Sequence, residues 1–99
     1  MNYIVRFTSL ADSDLVEILD YIAQDSPLKA LHFIDSLQER IKTTLSTFPN
    51  GGSTYKHFRY LSFDNYVVVY FVQEGKKEVF LHLVSEGHRQ WRSVLSNRL

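Results

Sequence analysis

Two blocks of different hydrophobic period divide this 99-residue chain near residue 50. Before that point, apolar side chains recur every three to four residues, which is the spacing of amphipathic α-helices. After it, runs of β-branched and aromatic residues indicate β-strands. Because a chain of this length builds a single core, the helical block must pack against the strand block. The pattern therefore predicts one α+β domain over residues 1–99.

The first block predicts two antiparallel helices. Ser9 is the expected N-cap of the first helix, with Asp12 completing a weak capping box. The segment Asp25-Ser26-Pro27 interrupts the apolar pattern, and because Ser26 is a good N-cap and proline is tolerated in a first turn, a second helix is predicted to start there. Pro49-Asn50-Gly51-Gly52 ends it. The short connection makes the pair a helical hairpin.

The second block predicts a meander. Strands are expected at Tyr3–Phe7, ahead of the helices, and then at His57–Leu61, Tyr66–Val72 and Glu78–Val84. The third of these is apolar throughout, as a central strand is, and the last alternates so that Val79, Leu81 and Leu83 share one face. A short C-terminal helix is expected at Gln90–Leu95. The predicted order is β-α-α-β-β-β with a possible final helix: an N-terminal strand, an antiparallel helical hairpin, and a three-stranded antiparallel meander completing one sheet.

Composition excludes several kinds of site. Cysteine is absent, which rules out disulfides, thiolate metal sites and a cysteine nucleophile. The four histidines lack metal-site spacing, and neither a phosphate-binding glycine loop nor a Gly-x-Ser-x-Gly turn occurs. The longest apolar run is far shorter than a membrane span, and the N-terminus shows no signal-peptide pattern. We expect a cytoplasmic protein that uses no metal or other cofactor and does not bind membranes.

The charges balance overall but separate along the chain. Eleven basic and eleven acidic residues give a net charge of zero, so no global positive field attracts nucleic acid. Residues 1–54 nevertheless carry a net charge of −3, residues 55–99 carry +3, and the stretch 88–99 contains only basic charges. This asymmetry either orients a partner or reflects two ordinary solvated faces. The acidic series Asp14, Glu17 and Asp20 is interpreted as the solvated face of the first helix.

One charged cluster is the candidate for chemistry: Arg59, Glu86, His88, Arg89 and Arg92. Arginines beside an acid and a histidine are able to bind a phosphodiester and move protons. We favour the simpler interpretation that these are surface charges at the end of the sheet. His82 is interpreted as a half-buried sheet residue, and Tyr66 and Tyr70 as packing residues.

Several segments carry a family likeness in their order and spacing over about residues 3–95. The hairpin segments are Asp14-Leu15, Glu17-Ile18, Tyr21-Ile22-Ala23, Asp25, Pro27, Ala30 and Phe33-Ile34-Asp35-x-Leu37. The later segments are Pro49-x-Gly51, Arg59, Tyr66-Val67-Val68-Val69-Tyr70 and Val84–Trp91. Together they resemble ParE-type toxins of the ParE/RelE superfamily, whose terminal segment reads Val-x-His-Gly-x-Arg-Asp. The chain departs from the family at Leu10, where a proline is usual, at Glu86, where histidine is common, and at Gln90, where aspartate is common.

The resemblance implies a function that composition does not. ParE-type toxins poison DNA gyrase, a type II topoisomerase, by protein–protein contact and have no catalytic site of their own. A cognate antitoxin wraps a flexible segment around the toxin, so the resemblance implies a hetero-oligomeric complex and no direct binding of nucleic acid. Contact with the target or the antitoxin is expected at Arg59, Arg89, Trp91, Arg92 and Arg98.

Two alternatives remain open. RelE-type relatives are ribosome-dependent mRNA endoribonucleases, and in that case Arg59, Glu86, His88 and Arg89 are the catalytic candidates. A degenerate toxin that only binds its antitoxin is the third possibility. The long helical hairpin favours the ParE type. Zero net charge favours it too, because binding to a ribosome rewards positive charge.

Overall fold

The computed structural model describes residues 2–99, which form three α-helices and a five-stranded sheet. In chain order the elements are β1 (Ile4–Phe7), α1 (Ser9–Ala23), α2 (Pro27–Thr47), β2 (Ser53–Tyr55), β3 (Phe58–Phe63), β4 (Tyr66–Gln73), β5 (Glu78–Glu86) and α3 (Trp91–Asn97). The strands are ordered β1-β5-β4-β3-β2, and β1 runs parallel to β5 while the other neighbours are antiparallel. The predicted α+β fold is confirmed. Within residues 2–99, none of the helices has the length and apolar character needed to cross a membrane.

The meander contains one strand more than the sequence predicts. The additional strand, β2, is three residues long and pairs with β3 across the two-residue turn Lys56-His57. A Ser-Thr-Tyr segment is too short to display a period of two, so its pairing partner, rather than its own pattern, defines it as a strand. The predicted three-stranded meander is therefore a four-stranded one, and β2 forms the far edge of the sheet.

The first helix is capped by Thr8 and not by Ser9. The Thr8 hydroxyl accepts a hydrogen bond from the Ala11 amide at 3.2 Å, while the Thr8 amide still donates to Leu81 O of β5 at 3.1 Å. Of two adjacent hydroxyl residues, the one at the strand end has the extended backbone that an N-cap needs. The predicted cap of α2 is confirmed, since Ser26 accepts from the Lys29 amide and Pro27 is the first helical residue.

The expectation that Leu83 shares a face with Val79 and Leu81 is wrong. Val69 of β4 pairs with Leu83, but the next residue, Tyr70, pairs with Leu81, so His82 is an extra residue in β5. Such a β-bulge shifts the alternation of side chains by one position. Leu83 therefore packs in the cluster that contains α3, whereas Val79 and Leu81 pack against the helical hairpin.

Each face of the sheet has its own hydrophobic cluster. The hairpin face buries residues of α1 and α2 against alternate residues of β4 and β5, and the opposite face is covered by α3. Tyr70 is fully buried on the hairpin face, and Tyr66 packs against Phe33 with 5.6 Å between ring centroids. The interpretation of both tyrosines as packing residues is confirmed. Burial raises the pKa of the Tyr70 hydroxyl.

The loop that follows α2 is fastened to the sheet by polar contacts. The buried Gly52 amide donates to the Tyr70 hydroxyl at 3.0 Å, and Arg59 donates to the carbonyls of Gly52 at 2.9 Å and Asn50 at 3.2 Å. A Cβ atom on Gly52 would lie 2.5 Å from the Tyr70 hydroxyl and 2.7 Å from Tyr60 O. Glycine is required here because the backbone lies so close to β3 and β4.

We expect Gly52→Ala to lower the free energy of unfolding by about 1–3 kcal/mol, because the added methyl group overlaps atoms that are held in the sheet. Urea unfolding measures this loss. Gly75→Ala is the matched control, since a Cβ at Gly75 meets nothing within 4 Å. Equal stability of the two variants would contradict the steric argument.

Candidate functional site

The last residue of β5 and the turn that leads into α3, residues 86–90, are together called the terminal turn. Its backbone is fixed by the Gly87 amide, which donates to Asn65 O at 2.7 Å, and by the Arg89 amide, which donates to Glu86 O at 3.1 Å. His88 Nε2 lies 2.9 Å from Glu86 Oε2, although the His88 side chain is 81% exposed. The turn thus brings together Glu86, His88 and Arg89, three members of the predicted cluster, on an exposed surface.

A cleft of about 200 Å³ lies beside the terminal turn, between α1 and β5. Asp14, Glu17 and Tyr21 of α1 line one side, and Glu86 and Arg89 line the other. Its walls therefore combine carboxylates, an arginine and two tyrosine rings. Burial and the nearby Glu86 carboxylate raise the pKa of the Tyr66 hydroxyl, which also lines the cleft. The cleft joins the helical hairpin to the terminal turn in one continuous surface.

Arg59 is not part of this surface. It pairs with Tyr70 in the sheet, whereas Glu86 pairs with Tyr66, four residues earlier in the same strand. Its guanidinium holds the loop after α2 through the carbonyls of Asn50 and Gly52. The structure therefore separates Arg59 from Glu86, His88 and Arg89, and it gives Arg59 a structural task.

Arg92 lies on the opposite face of the sheet, stacked on aromatic rings. Its guanidinium carbon is 4.2 Å from the ring centroid of Trp91, 5.3 Å from that of Tyr55 and 5.5 Å from that of Tyr60. Cation–π contacts of this kind fasten the first turn of α3 to β2 and β3. The Arg92 side chain remains exposed, so it is also accessible to a partner.

The other two predicted contact residues are buried, in the case of Trp91, or partly buried, in the case of Arg98. Trp91 is only 4% exposed and belongs to the core under α3. Arg98 forms two hydrogen bonds to the Asp14 carboxylate, at 2.6 and 2.8 Å, and a third to His82 O at 2.7 Å. Of the predicted contact residues, Arg89 and Arg92 are the ones whose side chains are exposed.

His82 is half-buried between aromatic rings, as the sequence predicts. Its ring lies 5.4 Å from that of Phe58 and 6.4 Å from that of Phe71. Burial, with a smaller effect of the Arg98 charge, lowers its pKa. His82 is therefore neutral near pH 7, and it lies on the face of the sheet away from the hairpin.

Asp14 is a further residue whose environment the sequence predicts wrongly. It is buried at 9% exposure, whereas it was expected on the solvated face of α1 together with Glu17 and Asp20. Its position gives the signal, since residue 14 falls three residues after Ala11 and beside Leu15 and so lies within the buried stripe. A carboxylate in such a stripe needs a partner, and Arg98 lies 84 residues away in sequence. Within residues 2–99, no group of three His, Cys, Asp or Glu side chains is placed to hold a metal ion.

Solved structures share this fold. The chromosomal ParDE system of P. aeruginosa superposes with a TM-score of 0.72 at 23% identity, covering 85% of this chain and 95% of that one. A toxin–antitoxin complex, RelBE2 of Mycobacterium tuberculosis, gives 0.69 at 20% identity, covering 87% and 99%. The isolated E. coli RelE toxin gives 0.59 at 14% identity, covering 98% and 99%. The fold is therefore that of the ParE/RelE class of toxins.

The family is given by the sequence. The family model described as "ParE toxin of type II toxin-antitoxin system, parDE" matches residues 5–91, from β1 to the start of α3. The chain belongs to this ParE toxin family. A search of curated proteins gives no match.

Proposed function

We propose that this toxin inhibits DNA gyrase by protein–protein contact and that a cognate antitoxin neutralises it. The observation that carries the proposal is the match to the ParE toxin family over residues 5–91, which includes the terminal turn. The net charge of zero supports a protein target, because recognition of ribosomal RNA rewards a positive field. Arg89 and Arg92 are the proposed contact residues, and Arg59 contributes by holding the loop after α2.

An mRNA endoribonuclease is the second candidate. The 2.9 Å contact between His88 and Glu86, with Arg89 in the same turn, favours it, because such a group is able to bind phosphate and transfer a proton. Arg59, which the endoribonuclease hypothesis also requires, holds backbone carbonyls elsewhere in the sheet. This arrangement supports the gyrase proposal over the endoribonuclease.

Pulse-labelling of DNA and protein synthesis after induction in a bacterial cell tests the proposal. We expect DNA synthesis to stop first and a DNA-damage response to follow, and co-expression of the neighbouring gene's product to prevent both. If protein synthesis collapses first and mRNA is cleaved, the target is the ribosome and not gyrase. Tight antitoxin binding without growth arrest would identify a degenerate toxin.

The double variant Glu86→Gln/His88→Ala separates the two targets within the same assay. It removes the only carboxylate and imidazole of the terminal turn and leaves Arg89 in place. Gyrase inhibition by contact needs neither group for proton transfer, so arrest of DNA synthesis is expected to persist. Endoribonuclease cleavage at this turn would be abolished.

The hairpin supplies the proposed antitoxin surface. Val16, Tyr21, Leu28 and Leu31 are large apolar side chains that each remain more than half exposed on α1 and α2. Two of the similar solved structures are described as a toxin–antitoxin complex and a ParDE system. An antitoxin segment with an apolar face would bury these side chains, as amphipathic helices do in grooves.

We expect Leu28→Ser/Leu31→Ser to weaken antitoxin binding at least tenfold, about 1.4 kcal/mol, through lost apolar burial. The free energy of unfolding should change by less than about 0.5 kcal/mol per site, since both leucines are exposed. Leu10→Ser is the control. Leu10 is also exposed, but it lies in the first turn of α1, at the end of that helix away from its connection to α2. Calorimetric titration with the antitoxin measures the difference, and unchanged affinity of the double variant would move the antitoxin off this surface.

A further inference from the structure

One ion pair joins the two ends of the chain across the edge of the sheet. Arg98, the C-cap of α3, bonds both oxygens of Asp14 in α1, at 2.6 and 2.8 Å. The side chains are 18% and 11% exposed, far less than those of the surface pair Arg40–Asp64, which are about half exposed. The Asp14–Arg98 pair is therefore shielded from solvent, and it links elements that cover opposite faces of the sheet.

The β5 edge explains why both charges are needed. β1 pairs with β5 only as far as Leu81, so the backbone of β5 beyond that residue faces side chains instead of a strand. Asp14 Oδ2 accepts from the Val84 amide at 2.9 Å, and Arg98 donates to His82 O at 2.7 Å, at the β-bulge. The carboxylate satisfies one edge amide, and the guanidinium satisfies the carboxylate and one edge carbonyl. Removing either side chain leaves buried polar groups without partners.

The helix that Arg98 holds is weak by itself. α3 has seven residues, which is too short for a stable isolated helix. Its apolar anchors are Trp91 and Leu95, and Arg92 clamps its first turn onto aromatic rings. Arg98 is the contact that ties its other end to α1. The seating of α3, and of the terminal turn that leads into it, therefore depends on Asp14.

We propose that Asp14 and Arg98 are positioning residues that lock the terminal turn and α3 against α1. The helical hairpin thereby determines where Arg89 and Arg92 stand. The consequence for toxicity rests on the proposed function, whereas fluorescence and hydrogen exchange test the lock itself without reference to toxicity. Asp14 also lines the cleft beside Arg89, so the lock lies within the surface that joins the hairpin to the terminal turn.

Trp91 reports on the lock directly, because it is the one tryptophan of the chain and it is buried at the start of α3. In Arg98→Gln we expect Trp91 emission to move to longer wavelength and acrylamide quenching to increase. Hydrogen exchange of α3 amides should accelerate about a hundredfold, as expected when a buried pair loses one member, while α2 amides keep their protection. Arg98→Lys keeps the charge but loses the bidentate fork. Its Trp91 emission and α3 exchange rates should therefore lie between those of the unsubstituted protein and those of Arg98→Gln. Arg40→Gln is the control, because it removes a surface ion pair and should leave Trp91 unchanged.

Wild-type Trp91 emission and α3 exchange in Arg98→Gln would overturn the lock. If Arg98→Gln does not fold, Arg98→Lys and Asp14→Asn are measured in its place against the same expectations. Growth arrest is then compared with Trp91 quenching across the variants. If growth arrest weakens in the same variants in which Trp91 becomes accessible to the quencher, the result supports positioning of the contact surface by the lock. If Trp91 becomes accessible while growth arrest stays complete, the lock is confirmed, but the target contact does not lie at the terminal turn.

Discussion

Arg89→Ala is expected to raise the toxin concentration that halves gyrase supercoiling by about thirtyfold, or about 2 kcal/mol, which is the loss typical of an interfacial hot spot. Arg89 lines the cleft beside the terminal turn, its side chain is exposed, and it lies in a turn fixed by backbone hydrogen bonds. Because its backbone is already fixed, Arg89 loses little backbone entropy on binding, and its guanidinium offers several donors. A supercoiling assay with purified gyrase measures the change.

Two comparisons make the Arg89 result specific. Lys76→Ala removes an exposed positive charge at the β4–β5 turn, at the opposite end of β5 from the terminal turn, and should leave inhibition unchanged. Urea unfolding of Arg89→Ala should match the unsubstituted toxin within about 0.5 kcal/mol, because Arg89 is exposed. Full inhibition by Arg89→Ala would remove the terminal turn from the proposed contact surface.

Leu37→Ala should lower the free energy of unfolding by about 2–5 kcal/mol, through lost apolar burial and the cavity left behind. Leu37 lies near the middle of α2 and is 1% exposed, in the cluster between the hairpin and the sheet. A loss of this size is a large fraction of the stability of a small domain without disulfides. Urea unfolding followed by circular dichroism measures the loss.

Leu28→Ala is the matched control for Leu37, since it makes the same substitution in the same helix at a side chain that is 67% exposed. Its loss should stay below about 0.5 kcal/mol, the range for surface positions. Similar losses at residues 28 and 37 would mean that the outward face of α2 is buried in solution, for example by self-association.

The elements that could be read from the sequence are those with a long local pattern. The apolar stripes of α1 and α2, the Ser26-Pro27 start of α2 and the apolar β4 strand each extend over enough residues for their period to be counted. Features of only one to three residues could not be predicted from the sequence. β2 is too short to show a period, Thr8 and Ser9 are equivalent by residue type, and the bulge at His82 is visible only in the register with β4.

The candidate site divides in the same way. Glu86, His88 and Arg89 are close in sequence, so a turn was enough to bring them together. Whether Arg59 joined them depended on the strand register, and the register places Arg59 opposite Tyr70 instead. The tasks of Arg92 and Arg98 depended on where α3 packs, which residues 88–99 do not encode by themselves.

By itself, the sequence determined the fold class, the helical hairpin and the likeness to ParE-type toxins, because these follow from periodicity and from the order of segments along the chain. Only the tertiary structure decided which charges are exposed. Arg98 looks like an ordinary surface residue in the sequence, and the apolar stripe that contains Asp14 does not reveal its partner. The two meet across 84 positions because the open edge of β5 presents an amide and a carbonyl that need partners. Residue type sets what a side chain is able to bind, but only packing determines which partner is within reach.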